Sequence, residues 1–235
     1  MLKELKKELN ALKSPKRAKA SLWFFKTGPG QYGEGDIFIG LTVPQMRTLA
    51  KKHSALTVDE IRVLLISPIH EERLIALLLL VDDFVEGDKK QQKKIFDFYI
   101  KNKKFVNNWD LIDLSAHKIV GPYLFDKDGA LLEKLAHSHN IWDRRIAVLA
   151  TFYDIKQSRY TRPLKIAEML VSDDHDLLQK AVGWMLREIG KRSLSDEEMF
   201  LRRFAATMPR TMLRYAIERF PEEKRKKYLG MKVSR

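Results

Sequence analysis

Apolar residues recur along this chain at three- and four-residue intervals, the period of amphipathic helices. Leu2, Leu5, Leu9 and Leu12 form one stripe, and Ile61, Leu64 and Leu65 another. The pattern returns at Ile95, Phe96 and Tyr99, at Ile146, Leu149, Ala150 and Tyr153, and at Leu164, Ala167, Leu170 and Val171. Polar residues ahead of periodic runs mark helix starts at Ser14-Pro15 and Thr42-Val43-Pro44. Thr57-Val58-Asp59-Glu60 and Ser195-Asp196-Glu197-Glu198 have the spacing of a capping box. Alternating strand patterns are nearly absent, so the chain reads as all-α. The longest apolar run, Leu74 to Val81, is short of the roughly 20 residues that span a bilayer and is expected inside an amphipathic helix.

The helices repeat. Asp110, Arg145, Lys180 and Arg214 stand 35, 35 and 34 residues apart, each followed by an apolar pair. A period near 35 with two helices per unit predicts a HEAT-like α-solenoid, whose stacked pairs set equivalent helices side by side on a concave face. Positions 110, 145, 180 and 214 then form one lane along that face. A helical bundle with coincidental spacing is the other reading. The expected organisation is a single solenoid domain over 1–235. It divides into basic N-terminal helices (1–26), a Gly-rich loop (27–41), repeats (42–220) and a basic C-terminal tail (221–235).

Charge adds a partner. The net charge is +13. Residues 1–26 hold eight Lys and Arg against Glu4 and Glu8, and residues 221–235 hold six against Glu222 and Glu223. The two ends thus carry most of the excess. They read either as solvated helical ends or as the flanks of a nucleic-acid groove. The absence of Cys excludes disulfides and thiolate metal sites. The six histidines are scattered, and His70-Glu71-Glu72 lacks the second His of a zincin helix, so no metal or other cofactor is expected. With no signal-peptide pattern at the N-terminus and no Cys, the chain reads as cytoplasmic; it is expected to be a monomer, nucleoid-associated if its polyanionic partner is DNA. The Gly28–Gly35 stretch lacks the Gly-Lys-Ser/Thr ending of a phosphate loop and reads as a connection, although the helix start after it offers backbone N–H groups to a phosphate.

Candidate chemistry sits at Asn107-Asn108-Trp109-Asp110-Leu111-Ile112-Asp113. Trp109 and Asp113, four residues apart, share one helix face and read as an exposed indole beside a carboxylate, a combination that attracts positive charge. Lys180 and Trp184 repeat the spacing. Each tryptophan alone could equally be core. Of Arg144 and Arg145, one is expected to pack or pair with Asp143, while its neighbour, about 100° round the helix, enters the lane.

The blocks Asn108–Asp113, Asn140–Ala147 and Gln179–Glu188 resemble, in order and spacing, the signature segments of the AlkD-like DNA glycosylases, the DNA alkylation repair enzyme family. The likeness runs from the first helices to about Tyr228. It implies a HEAT-like repeat fold, a substrate of duplex DNA carrying N3- or N7-alkylated purines, and hydrolysis of the N-glycosidic bond without base flipping, in base excision repair. By motif, Trp109 and Trp184 correspond to the tryptophans on the damaged nucleotide's sugar. Asp113 corresponds to the catalytic acid, and Arg145 to the arginine holding the backbone. Further DNA-contact candidates are Lys180 and Arg214 and, nearer the N-terminus, Phe24, Lys26, Thr42, Gln45 and Arg47. One departure stands out: a tyrosine of the best-known branch is replaced here by Phe24 or Phe25. A non-catalytic HEAT-like DNA-binding or scaffold module is the competing class.

Overall fold

A computed structural model describes residues 1–231. Among them are fifteen α-helices and two short 3-10 turns, with a single isolated bridge between Ile37 and Ile69. The all-α helical-repeat class is therefore the fold. No helix among the described residues is long and apolar enough to cross a membrane. The chain forms two compact units, Met1–Ser115 and Ala116–Arg235, and the division falls inside one helix.

Unit 1 holds α1 (Leu2–Ala11), α2 (Pro15–Phe24), α3 (Val43–Lys52), α4 (Val58–Leu65), α5 (His70–Glu86), α6 (Lys89–Asn102) and the first part of α7 (Trp109–Leu124). Its centre is α5, packed by α3, α4 and α6. Every residue from His70 to Val81 is buried. The run at Leu74–Val81 therefore belongs to a helix enclosed on all sides, not to the expected amphipathic one, and apolar residues all round are what enclosure requires. The first turn of α5 is polar yet equally buried, and its charges find partners, Glu72 with Lys6 at 3.0 Å among them.

The helix-start signals held at three of four places, Ser14, Thr42 and Thr57. Ser14 caps α2, and Thr57 with Glu60 closes a capping box on α4. At the fourth, Ser195, α13 (Leu194–Phe204) begins one residue before the expected cap, leaving Ser193 in the cap position without a capping hydrogen bond from its side chain. Glu197 is instead buried against Gly190. Thr42, expected only as a helix start, makes a full capping box with Gln45 on α3.

Unit 2 continues with α8 (Ala130–Ala136), α9 (Ile141–Ala150), α10 (Phe152–Lys156), α11 (Thr161–Met169), α12 (Asp176–Gly190), α13, α14 (Arg210–Ala216) and α15 (Glu222–Gly230). The segment expected as a tail is thus largely helix; residues 232–235 lie outside the described part. Helix α12 is central, touching α9, α10, α11, α13 and α14. Two glycines let helix backbones approach closely. A Cβ on Gly121 would lie 2.4 Å from the Ala150 carbonyl oxygen and 2.7 Å from Tyr153 Cβ. One on Gly183 would lie 2.4 Å from the Met212 carbonyl oxygen and 2.6 Å from Tyr215 Cβ. The same device therefore recurs with the same sequence offsets in two helix contacts.

The helix starts refine the repeat register. Arg145, Lys180 and Arg214 are each the fifth residue of their helices, α9, α12 and α14. In α7 the fifth residue is Asp113, and Asp110 is only the second. Register counted from helix starts thus aligns Asp113, not Asp110, with the three cations.

Candidate nucleic-acid interface

In unit 1, the loop end, α5 and α7 meet in a buried ionic network. His70 Nδ1 lies 3.1 Å from Asp36 Oδ2, and its Nε2 lies 2.8 Å from Asp110 Oδ2. Arg73 donates to Asp36 Oδ1 at 2.6 Å and to the Ser67 carbonyl at 3.0 Å. Asn108 donates to Asp36 at 3.0 Å and accepts the Trp109 N–H at 2.8 Å. Asp110 accepts the Leu111 N–H at 2.9 Å, so both side chains satisfy donors that a helix start leaves open. Burial works against the charged imidazole, but the carboxylates of Asp110 and Asp36 outweigh it and push His70 up to about 9. Burial likewise opposes ionised Asp36, and His70 and Arg73 overcome it, holding this carboxyl below its ordinary value.

Trp109 stands on this network. It is half-buried rather than exposed, because Phe25 stacks on it at 5.3 Å between centroids and Phe24 meets it edge-on at 5.7 Å. Phe25 also packs on Phe38 at 4.8 Å and on His70 at 4.9 Å. The phenylalanines at the departure from the tyrosine of related sequences are thus the backing of the indole. Asp113, half-buried, lies one turn on from Trp109. Its charge adds to burial in raising the enclosed Tyr99 phenol, which hydrogen-bonds Ser115 at 3.0 Å. Asp110 faces the buried network, which removes it from the expected exposed lane.

Of the other N-terminal candidates, Thr42 and Gln45 are engaged with each other: Gln45 Oε1 accepts the Thr42 N–H at 2.8 Å. Pro44 has no N–H and Thr42 takes that of Gln45, leaving little of this helix start for a phosphate. Arg47 is exposed. Lys26 is exposed with φ of 50° and lies 6.0 Å from the Tyr32 ring.

In unit 2, half-buried Trp184 packs on Phe152 at 5.7 Å, and Phe152 packs on His117 at 5.5 Å. Lys156 lies 4.4 Å over the Phe152 ring, within cation–π reach. Burial, with Arg192 nearby, lowers the Lys156 ammonium. Arg144 finds its carboxylate at Asp173, 2.7 Å away. Arg145 is buried and donates to the Leu177 carbonyl at 2.6 Å, tying α9 to α12. Lys180 pairs with Asp176 at 2.7 Å, and Arg214 is exposed. A cavity of about 920 Å³ lies elsewhere in this unit. Four of its cations are already paired, among them Arg159 with Asp126, Arg162 with Asp154 and Arg203 with Glu168. No group of three or more His, Asp or Glu among the described residues could hold a metal.

Sequence reasoning missed the His70 network, the Phe25–Phe38 stack and Phe152. Four polar residues, His70 to Arg73, opening an otherwise wholly apolar run were the available signal for the first.

The sequence profile described as DNA alkylation repair enzyme matches residues 5–220. The chain belongs to that family. Among solved structures, a predicted DNA alkylation repair enzyme from Enterococcus faecalis is similar, with a TM-score of 0.68 and 16% identity. The match covers 89% of this chain and 97% of that one. At such identity the likeness speaks for the fold. No curated protein sequence matches the chain. Family membership places the chain in DNA repair.

Proposed function

We propose that the chain is a DNA glycosylase that hydrolyses the N-glycosidic bond of cationic N3- or N7-alkylated purines in duplex DNA, acting without base flipping as a monomer in base excision repair. The observation that carries the reading is the Trp109–Asp113 face of α7, seated on a buried ionic network. Most glycoside hydrolases use two carboxylates, one to protonate the leaving group and one to stabilise the sugar cation or activate water. Asp113 is the single acid that the motif supplies. An alkylpurine already carries positive charge, so the bond electrons pass to the ring and the base leaves neutral, with no added proton. What remains is an oxocarbenium-like sugar, which a carboxylate and an indole π face stabilise electrostatically. Water then adds at the anomeric carbon and loses its proton to Asp113 or solvent.

Trp184 is assigned the second indole and Arg145 the phosphate contact by motif resemblance, and Lys180 and Arg214 add cationic charge by their place in the repeat register. The remaining contacts go to Phe24, Lys26, Thr42, Gln45 and Arg47. The polar atoms that Thr42 and Gln45 spend on each other make them the weakest members of that set.

Release of methylated purine from duplex DNA tests the reading. Asp113→Asn is expected to bind the duplex as the wild type does and to release base roughly 100-fold more slowly, the scale of losing one electrostatic stabiliser. Equal release rates would remove Asp113 from the chemistry. Binding without any release, by the wild type as well, would make the chain a DNA-binding module.

A further inference from the structure

Helix α2 buries none of its own residues. It is held by the backbone beneath it. Ser14 donates its N–H to the Ile39 carbonyl at 2.9 Å, and Arg17 Nε donates to the Gly40 carbonyl at 2.7 Å. Gly40, at φ +87°, has no Cβ to strike the Ser14 carbonyl or the Ala18 N–H. Glu71 fixes that support by accepting the N–H groups of Ile39, Gly40 and Leu41. The half-buried residues Ala18 and Ser21 face the support, and Phe25 follows them just beyond the helix end.

The opposite face is Lys16, Lys19, Ala20 and Trp23, at the i, i+3, i+4, i+7 positions of one stripe, and all four are exposed. Trp23 is 85% exposed. Between Lys13 and Lys26 there are five cations and no carboxylate. Neither Lys16 nor Lys19 has an ion pair among the described residues. An indole this bare, beside unopposed ammonium groups, fits a partner that is both anionic and flat-faced. A nucleic acid is both, and stacking of bases on aromatic side chains within a cationic track is how single strands are held.

We infer that this face of α2 is a second nucleic-acid contact, distinct from the Trp109–Asp113 face, in which Trp23 stacks on an unpaired base while Lys16 and Lys19 meet phosphates. It gives the protein a preference for DNA that is locally open. The inference needs DNA as the partner but not excision chemistry, so undamaged oligonucleotides test it alone.

The full chain is titrated into a fully paired duplex, the same duplex with a three-nucleotide bulge, and the single strand, with affinity read by anisotropy and stacking by tryptophan fluorescence. The wild type is expected to prefer the bulge and to show quenching. Trp23→Ala should weaken bulge binding about tenfold, leave the paired duplex within twofold and abolish most of the quenching. Trp23→Tyr should restore the preference. The double variant Lys16→Gln, Lys19→Gln should reduce the log–log salt slope on the single strand by about 1.4. Unchanged bulge affinity in Trp23→Ala, or an equal loss on all three DNAs, overturns the inference. So does quenching by vesicles of anionic phospholipid but not by DNA, which would assign the face to a membrane surface.

Discussion

The ionic network under Trp109 makes stability depend on pH in a way that one substitution isolates. His70 in the folded state titrates at about 9, against about 6.5 for an unconstrained histidine, so the native state holds its proton more tightly than the unfolded chain. The resulting stabilisation is complete below pH 6.5 and is lost as pH rises through 9. The difference of about 2.5 units, at 1.36 kcal/mol each, is on the order of 3 kcal/mol. His70→Gln removes the titration while keeping a side chain able to hydrogen-bond. Urea unfolding of both proteins at pH 6 and pH 10 gives two stability gaps. The gap at pH 6 should exceed that at pH 10 by roughly 3 kcal/mol. Comparing the two proteins cancels other titrating groups, Glu197 among them. The His70 imidazole should also remain protonated at pH 8 by NMR. A gap that is the same at both pH values, or an imidazole neutral at pH 8, would refute the argument that Asp110 and Asp36 outweigh burial.

Burial, reinforced by Glu198, pushes Glu197 up to about 8, so its contribution turns unfavourable as pH climbs from 4.5 through 8. Glu197→Gln should therefore match the wild type in urea midpoint near pH 4 and exceed it at pH 8.5; a gap that does not widen counts against this. Gly183→Ala puts a methyl 2.4 Å from the Met212 carbonyl oxygen, and overpacking of this kind costs about 2–3 kcal/mol, or roughly 5–10 °C in Tm. A Tm within about 1 °C of wild type on that same scale would show that the contact yields easily. Arg145→Ala should weaken duplex binding and lower the salt slope by about 0.9; an unaltered slope would take Arg145 off the phosphate and leave it a structural tie to the Leu177 carbonyl.

The helical class was legible because its signals are local. Ser14, Thr42 and Thr57 cap the helices they precede, and the 35-residue spacing reappears in the starts of α9, α12 and α14. Local spacing failed where a helix begun earlier overrode it, as at Ser195. It failed again at Asp110, because counting from Arg145 ignored where α7 begins. The Trp109–Asp113 pair was legible from its i, i+4 spacing, but the rings backing the indole were not. Phe25 and Trp109 are 84 positions apart, and Asp36, His70 and Asp110 come from three distant segments; no periodicity connects them. Arg145 was placed in the lane by the repeat register, which carries no information on depth, and it is buried with the Leu177 carbonyl as a partner.

Gly121 and Gly183 bear on how unit 2 responds to load. At most helix contacts, side chains stand between the backbones and can change rotamer, so the joint slides a little under force. At these two, the backbone of one helix rests almost directly on a carbonyl of the next, with no such cushion. A unit built around unyielding joints transmits strain instead of absorbing it. On the proposed function, a double helix held against such a unit would be the more compliant body, and the bending would fall on it.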